Sequence, residues 1–264
     1  MRHLRLTIGA VRLVINVLIG LFLVACWFPL AGPARRLALV RWWARGVLRI
    51  CGVQLIVRGT PLTGGHVLVS NHISWMDIYA INAVAVARFV AKAEIRSWPL
   101  FGWLAARTGT LFLERGRRHA VHRANATIAT ALRAGDRIGI FPEGTTGDGG
   151  TVLRFHANLI EAAIETNAPV QPLALCYRTA AGEPTQAPAF VGEMTLIESI
   201  ASTLAAAPLR VELNYLPAIA VAGLTRHEVA ELARDAIVAS RASRAAGAAG
   251  TPPETAPDPR AAPR

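Results

Sequence analysis

Residues 66–77 read HVLVSNHISWMD, and the fold turns on them. His66 to Ser70 is a short run dominated by valine and leucine, the kind that fills a strand buried on both faces of a sheet. Ser70, Asn71 and His72 break that run, and an apolar helix-like stretch follows at 75–86. Outward from this unit the same alternation recurs. Strand-like runs are predicted at 53–57, 66–70, 88–91, 110–113, 137–141, 170–177, 189–192 and 210–215, with helical stretches at 75–86, 97–107, 118–134, 155–166 and 226–241. Short apolar strands separated by crossover helices predict an α/β domain with a mostly parallel central sheet flanked by helices. In such sheets the ligand crevice lies beyond the carboxyl ends of the strands.

Ahead of that domain, residues 13–30 read LVINVLIGLFLVACWFPL, apolar except for Asn16. The run is long enough to cross a bilayer or dip into one. Leu23 to Cys26 resembles a lipobox, but Trp27-Phe28-Pro29-Leu30 prolongs the apolar block where a processed lipoprotein turns polar. Residues 34–50 then place Arg41, Arg45 and Arg49 four apart opposite Leu39, Trp42, Trp43 and Val47. This is a basic amphipathic helix, which either lies on an anionic lipid surface or packs as an ordinary surface helix.

Charge follows the same division. The 264-residue chain has 28 Lys+Arg against 17 Asp+Glu, a net charge of +11, yet a mean hydropathy of +0.37. Residues 1–76 hold nine arginines and no acid. A nucleic-acid binder needs its charge over a folded groove, whereas here the densest basic cluster abuts the most apolar segment. No nucleic-acid partner is expected. The basic flank after the hydrophobic run predicts anchoring with the body on the cytoplasmic face of the inner membrane. Three cysteines without a C-x-x-C pair are too few for a disulfide framework. The expected organisation is a membrane-anchoring element at 1–51, a catalytic domain at 52–242 and a disordered Ala/Pro/Gly-rich tail at 243–264.

Three polar clusters fall just past predicted strands. The first is Asn71-His72 with Asp77: a histidine at a strand exit can act as general base, and a carboxylate can fix its tautomer. The spacing of Ser74 and Asp77 equally fits a cap on the following helix. The second is Gly109-Thr110-Leu111-Phe112-Leu113-Glu114-Arg115, which delivers an arginine able to clamp a phosphate or carboxylate, or simply to face solvent. The third is Phe141-Pro142-Glu143-Gly144-Thr145-Thr146-Gly147-Asp148, a loop whose glycines let backbone N–H groups converge and whose Glu143 can bind a hydroxyl or hold an arginine. No G-x-S-x-G elbow, H-E-x-x-H zinc site, Walker loop or dinucleotide fingerprint is present in the sequence. A base without its own nucleophile suits transfer between two bound substrates.

In this order the clusters resemble the 1-acyl-sn-glycerol-3-phosphate acyltransferases and related lysophospholipid acyltransferases. That family carries N-H-x4-D, G-x2-F-x2-R, F-P-E-G-T and a short apolar block with proline. They are matched by Asn71-His72 to Asp77, by Gly109, Phe112 and Arg115, by Phe141 to Thr145, and by Val170-Gln171-Pro172-Leu173. A Lys-x-Glu stretch is matched by Lys92-Ala93-Glu94. The resemblance implies a glycerolipid acyltransferase-like fold and a membrane-binding amino terminus. It also implies acyl transfer from acyl carrier protein or coenzyme A, with no cofactor or metal. His72 and Asp77 would be catalytic, and Lys92, Arg115, Glu143, Gly144 and Thr145 would bind substrate. The implied acceptor is lysophosphatidic acid. One departure bears on this: many members follow F-P-E-G-T with a phosphate-binding arginine, where this chain has Thr146, a variant similar to the relatives that acylate lyso-ornithine lipid. A catalytically silent, membrane-docked lipid-binding protein is the alternative from another class, disfavoured because His72, Asp77, Arg115 and Glu143 are all present. The sequence sets no oligomeric state.

Overall fold

A computed structural model describes residues 2–114 and 118–247 of the chain. Seven strands form one sheet in the order β1-β7-β6-β2-β5-β3-β4. They are β1 (Val53–Arg58), β2 (His66–Ser70), β3 (Arg88–Lys92), β4 (Leu111–Leu113), β5 (Arg137–Ile140), β6 (Val170–Thr179) and β7 (Leu209–Tyr215). The five from β6 to β4 are mutually parallel. β7 runs against β6, and β1 is parallel to β7, so the expected parallel sheet carries a reversed two-stranded edge.

Side chains alternate across the sheet as a two-residue period requires. Val67 and Val69 of β2 pack with α5 (Arg118–Arg133), α6 (Glu161–Thr166) and α8 (Arg226–Gly247). Leu68 faces the opposite layer, with α2 (Pro33–Ile50) and α3 (Met76–Val84). Every residue of β2 is buried, which explains its near-continuous apolar sequence. The crossover from β3 to β4 is a 3₁₀ turn at Ala93–Ser97 followed by α4 (Phe101–Arg107).

Several expectations change. Residues 189–192 are not a strand; they form a loop in which the Phe190 N–H donates to Ile73 O at 3.0 Å, and Ala189 is apolar because it joins the core beside α3. Helix α7 (Leu196–Ala206) was not anticipated, although Thr195 and Glu198 form a complete capping box at its start. The stretch 155–166 is helical only as a 3₁₀ turn at Ala157–Leu159 and as α6. Residues 243–247 belong to α8 rather than to a tail, and Arg244 pairs with Glu212 of β7 at 2.7 Å. The remainder of the expected tail, 248–264, lies outside the described residues.

The amino-terminal helices are not a separate module. Helix α2 buries Ala44, Val47 and Leu48 against α3 and β1. Trp43 turns inward, its indole N–H donating to Asn16 O at 2.8 Å and its ring meeting Tyr79 edge-on at 5.6 Å. Packing on the domain therefore wins for this face, and only Leu37 and Trp42 among its large apolar residues stay exposed. Helix α1 (Arg2–Phe22) is turned inside out by comparison. Its Gly9 and Gly20 face the protein beside Leu13 and Leu21: a Cβ on Gly9 would stand 2.7 Å from the Leu204 side chain, and one on Gly20 would stand 2.7 Å from the Trp43 ring. Its large residues Leu4, Ile8, Val11, Ile15, Leu18 and Phe22 recur every three or four positions and are all exposed. The apolar run from Leu4 to Leu30 is the one candidate membrane span among the described residues.

Candidate active site

The candidate catalytic residues sit where β2 ends. Asn71 pins the exit loop to β6: its amide donates to Leu175 O and its carbonyl accepts the Leu175 N–H, both at 2.9 Å. His72 follows, and its Nδ1 lies 2.8 Å from Asp77 Oδ2. The same Oδ2 accepts the N–H of Ile73 at 2.7 Å and of Ser74 at 2.9 Å. The helix-cap and catalytic readings of Asp77 are thus one arrangement, since a single oxygen holds both the turn and the histidine. The Asp77 carboxylate is fully buried while His72 keeps 19% of its side chain exposed. With Nδ1–H directed at Asp77, Nε2 is left as the proton acceptor.

Three aromatic residues complete this geometry. Phe141 stacks on the His72 imidazole at 3.9 Å between centroids and 10° between planes, with Phe89 stacked behind it at 5.5 Å. Tyr177, from β6, donates its hydroxyl to Asp77 Oδ1 at 2.7 Å. Burial, reinforced by the adjacent carboxylate, holds the Tyr177 phenol well above its usual range, so it stays a donor. Nothing local in the sequence marks Tyr177, because its partner lies 100 residues away and only the sheet joins them.

Glu143 braces the same loop. It is buried, and its two oxygens accept the backbone N–H of His72 at 2.8 Å and of Leu153 at 3.0 Å. Burial raises its carboxyl above the usual range, against the two N–H donors that favour the charged form. Its described contacts hold the loop backbone behind His72. Gly144, at φ +71°, makes a turn there that costs a side-chain residue strain. The Gly147 N–H then donates to His72 O at 2.8 Å, while the Thr146 hydroxyl donates to Phe190 O. Thr145 is exposed beside them.

Lys92 stands exposed at the carboxyl end of β3, in register with Leu113 of β4. Arg115 falls outside the described residues. His72 is therefore in direct contact with both Asp77 and Glu143, Gly144 turns the loop beside Glu143, and Lys92 lies at the end of β3, two places from β2 in the same sheet. A histidine held by a buried carboxylate and partly exposed at a strand exit is an arrangement suited to base-assisted group transfer of the acyl-transfer type.

Comparison with known proteins gives that class its family. Residues 54–176 match the family model described as Acyltransferase. The lyso-ornithine lipid O-acyltransferase of Pseudomonas aeruginosa is 36% identical over 90% of this chain and 93% of its own length. The 1-acyl-sn-glycerol-3-phosphate acyltransferase of Neisseria meningitidis is 38% identical over 60% of this chain and 64% of its own. The crystal structure of the 1-acyl-sn-glycerophosphate acyltransferase from Thermotoga maritima shares the fold at a TM-score of 0.69, with 22% identity, over 92% of this chain and 98% of that one. The chain belongs to the acyltransferase family of lipid biosynthesis, and its reaction is O-acyl transfer.

Proposed function

We propose that the enzyme transfers a fatty acyl group from a thioester, on acyl carrier protein or coenzyme A, to the free hydroxyl of a lysolipid, and that lyso-ornithine lipid is the acceptor. His72 Nε2 takes the hydroxyl proton as the oxygen attacks the thioester carbonyl. The C–S bond breaks, and the proton passes to the departing thiolate. Asp77 stabilises the imidazolium formed in between, and no other cofactor enters the scheme. The observation that carries the acceptor is Thr146, which stands where a phosphate-binding arginine is common and uses its hydroxyl to hold Phe190 O. Asp148 follows it, exposed, where an acidic side chain suits an ammonium better than a phosphate. An ornithine head group carries an ammonium and a carboxylate but no phosphate. The near full-length similarity to a lyso-ornithine lipid O-acyltransferase supports the same choice.

Lysophosphatidic acid is the second reading, favoured by Lys92 at the strand end next to the site. The exposed apolar face of α1 supports anchoring in the membrane, and the arginines that follow it support a cytoplasmic location for the catalytic domain. Purified enzyme in membranes, given one labelled acyl thioester and each acceptor in parallel, tests the proposal with His72→Ala alongside. Acylation of lyso-ornithine lipid at a higher kcat/KM than lysophosphatidic acid, lost in His72→Ala, is expected. The reverse preference would move the acceptor to lysophosphatidic acid, and undiminished turnover by His72→Ala would overturn the mechanism.

A further inference from the structure

A second cavity, of about 460 Å³, opens between the first turns of α1, the end of α2 and the end of α7. That volume lies within the range of small-ligand sites. Arg5 and Arg12 line it from α1 and Arg49 lines it from α2, while Ile8, Ile50 and Leu204 supply apolar wall. Among the described residues no acidic one lines it and no carboxylate pairs with any of these three arginines. All three are exposed around one opening, where an anion can bridge their guanidinium groups.

Its surroundings say what kind of anion. Leu4 and Ile8, at the cavity rim, begin the exposed apolar stripe that runs along α1 through Val11, Ile15 and Leu18. A ligand held here meets positive charge at one end and an apolar track leading away at the other. The position is also separate from the catalytic loop. Gly52, in the cavity wall, precedes β1, which lies three places from β2 in the sheet. Because β1 and β7 are reversed, this end of β1 lies beside the carboxyl end of β6, with Val53 opposite Leu209 and Leu209 opposite Thr179. The cavity is therefore at the same end of the sheet as His72, on its far edge.

We propose that this cavity binds the head group of an anionic bilayer phospholipid, its phosphate between Arg5, Arg12 and Arg49 and its acyl chains along the outward face of α1, as a site distinct from the acceptor site. The bound lipid fixes the rotation of α1 about its axis and turns the catalytic end of the sheet toward the bilayer. This is recognition of one lipid molecule, more specific than attraction of a basic segment to a charged surface.

The test uses the full chain in neutral detergent and dihexanoyl phosphatidylglycerol below its micelle concentration, with dihexanoyl phosphatidylcholine and inorganic phosphate as comparators, measured by calorimetry. Saturable one-to-one binding of phosphatidylglycerol is expected. R5Q/R49Q should weaken it about 30-fold, while the charge-matched R35Q/R58Q should leave it within about twofold. Equal loss in both double variants would reduce the effect to diffuse electrostatics and overturn the site. Phosphate binding as tightly as the lipid would overturn the lipid assignment. Unchanged binding in R5Q/R49Q, with the thermal transition intact, would place the lipid elsewhere. An acceptor KM that rises in R5Q/R49Q by as much as lipid affinity falls would make the cavity part of the acceptor's path and remove its separate role.

Discussion

Asp77 carries four hydrogen bonds on two oxygens: His72 Nδ1 and the N–H groups of Ile73 and Ser74 on Oδ2, and the Tyr177 hydroxyl on Oδ1. Two of these donors are backbone, so in Asp77→Asn the amide oxygen must take the place of Oδ2 and the amide NH₂ must turn to Tyr177, whose hydroxyl can accept. The histidine tautomer then survives and only the negative charge is lost. A charge about 4 Å from the imidazolium at an effective dielectric of about 20 is worth ~4 kcal/mol, so kcat should fall on the order of 10³-fold. That is less than the ~10⁴-fold seen where the equivalent change in a serine protease also forces the wrong tautomer. Turnover and the thermal transition, measured together, check it; a loss of about 10⁴-fold or more with the fold intact would mean the tautomer had changed. Tyr177→Phe removes one bond to a buried charge and should lower kcat about tenfold with KM little changed. A KM effect as large as the kcat effect would assign Tyr177 to substrate. The pair His72 and Asp77 was legible in the sequence because both lie on one local turn. Tyr177 and the stacking of Phe141 were not, because separate strands bring them to the site.

Between elements, the seam of β2 and β5 depends on a neutral histidine. His66 donates from Nδ1 to Gly64 O at 2.9 Å and accepts from Arg137 Nε at Nε2, 3.0 Å away. Arg137 also reaches Val86 O and Leu62 O, tying the strand starts together. Burial pushes the His66 imidazole down from 6.5 to about 4, helped by the Arg137 charge and opposed by the bond to Gly64. A depressed folded value means that the stability it contributes is complete above pH 6.5 and is lost as pH falls toward about 4. The loss is on the order of 3 kcal/mol. Urea unfolding should show wild type weakening over that window and His66→Gln, less stable at neutral pH, staying flatter. Parallel slopes would remove His66 as the acid-sensitive group. Periodicity located the five parallel strands, because burial on both faces writes itself as continuous apolar sequence. The run at 189–192 looked the same for another reason: its residues cover the core without a strand partner. The reversal of β1 and β7 had no local signature, since a strand reads alike in either direction.

Across the whole molecule, the excess charge and the excess apolar surface have one location. Residues 1–76 hold nine arginines and no acid, and within them α1 has an outward face that exposes leucine, isoleucine, valine and phenylalanine. The sequence showed that these features were adjacent; which face of α1 turns outward, with Gly9, Asn16 and Gly20 on the inner one, required its packing on α2 and α7. Val14→Glu combined with Leu18→Glu puts two charges on that face without touching the inner one. The variant should move from the membrane to the soluble fraction on cell fractionation and keep its thermal transition. Full retention in the membrane would mean that another surface anchors it.

The catalytic loop, the 141–150 loop and the 184–195 loop are laced together by main chain: His72 O takes the Gly147 N–H, Ile73 O takes the Phe190 N–H, and Thr146 reaches back to Phe190 O. Thr146, on which the proposed acceptor choice rests, and His72, the proposed base, therefore share one hydrogen-bonded frame. Exchanging residue 146 alone for an arginine would free Phe190 O and leave the Phe190 N–H bond to Ile73 O as the remaining tie between these loops, whereas a chimera that takes both outer loops from one donor keeps every tie. Divergence toward new acceptors in this lineage should accordingly proceed by concerted loop replacement, with single changes at residue 146 losing the old substrate before they gain another.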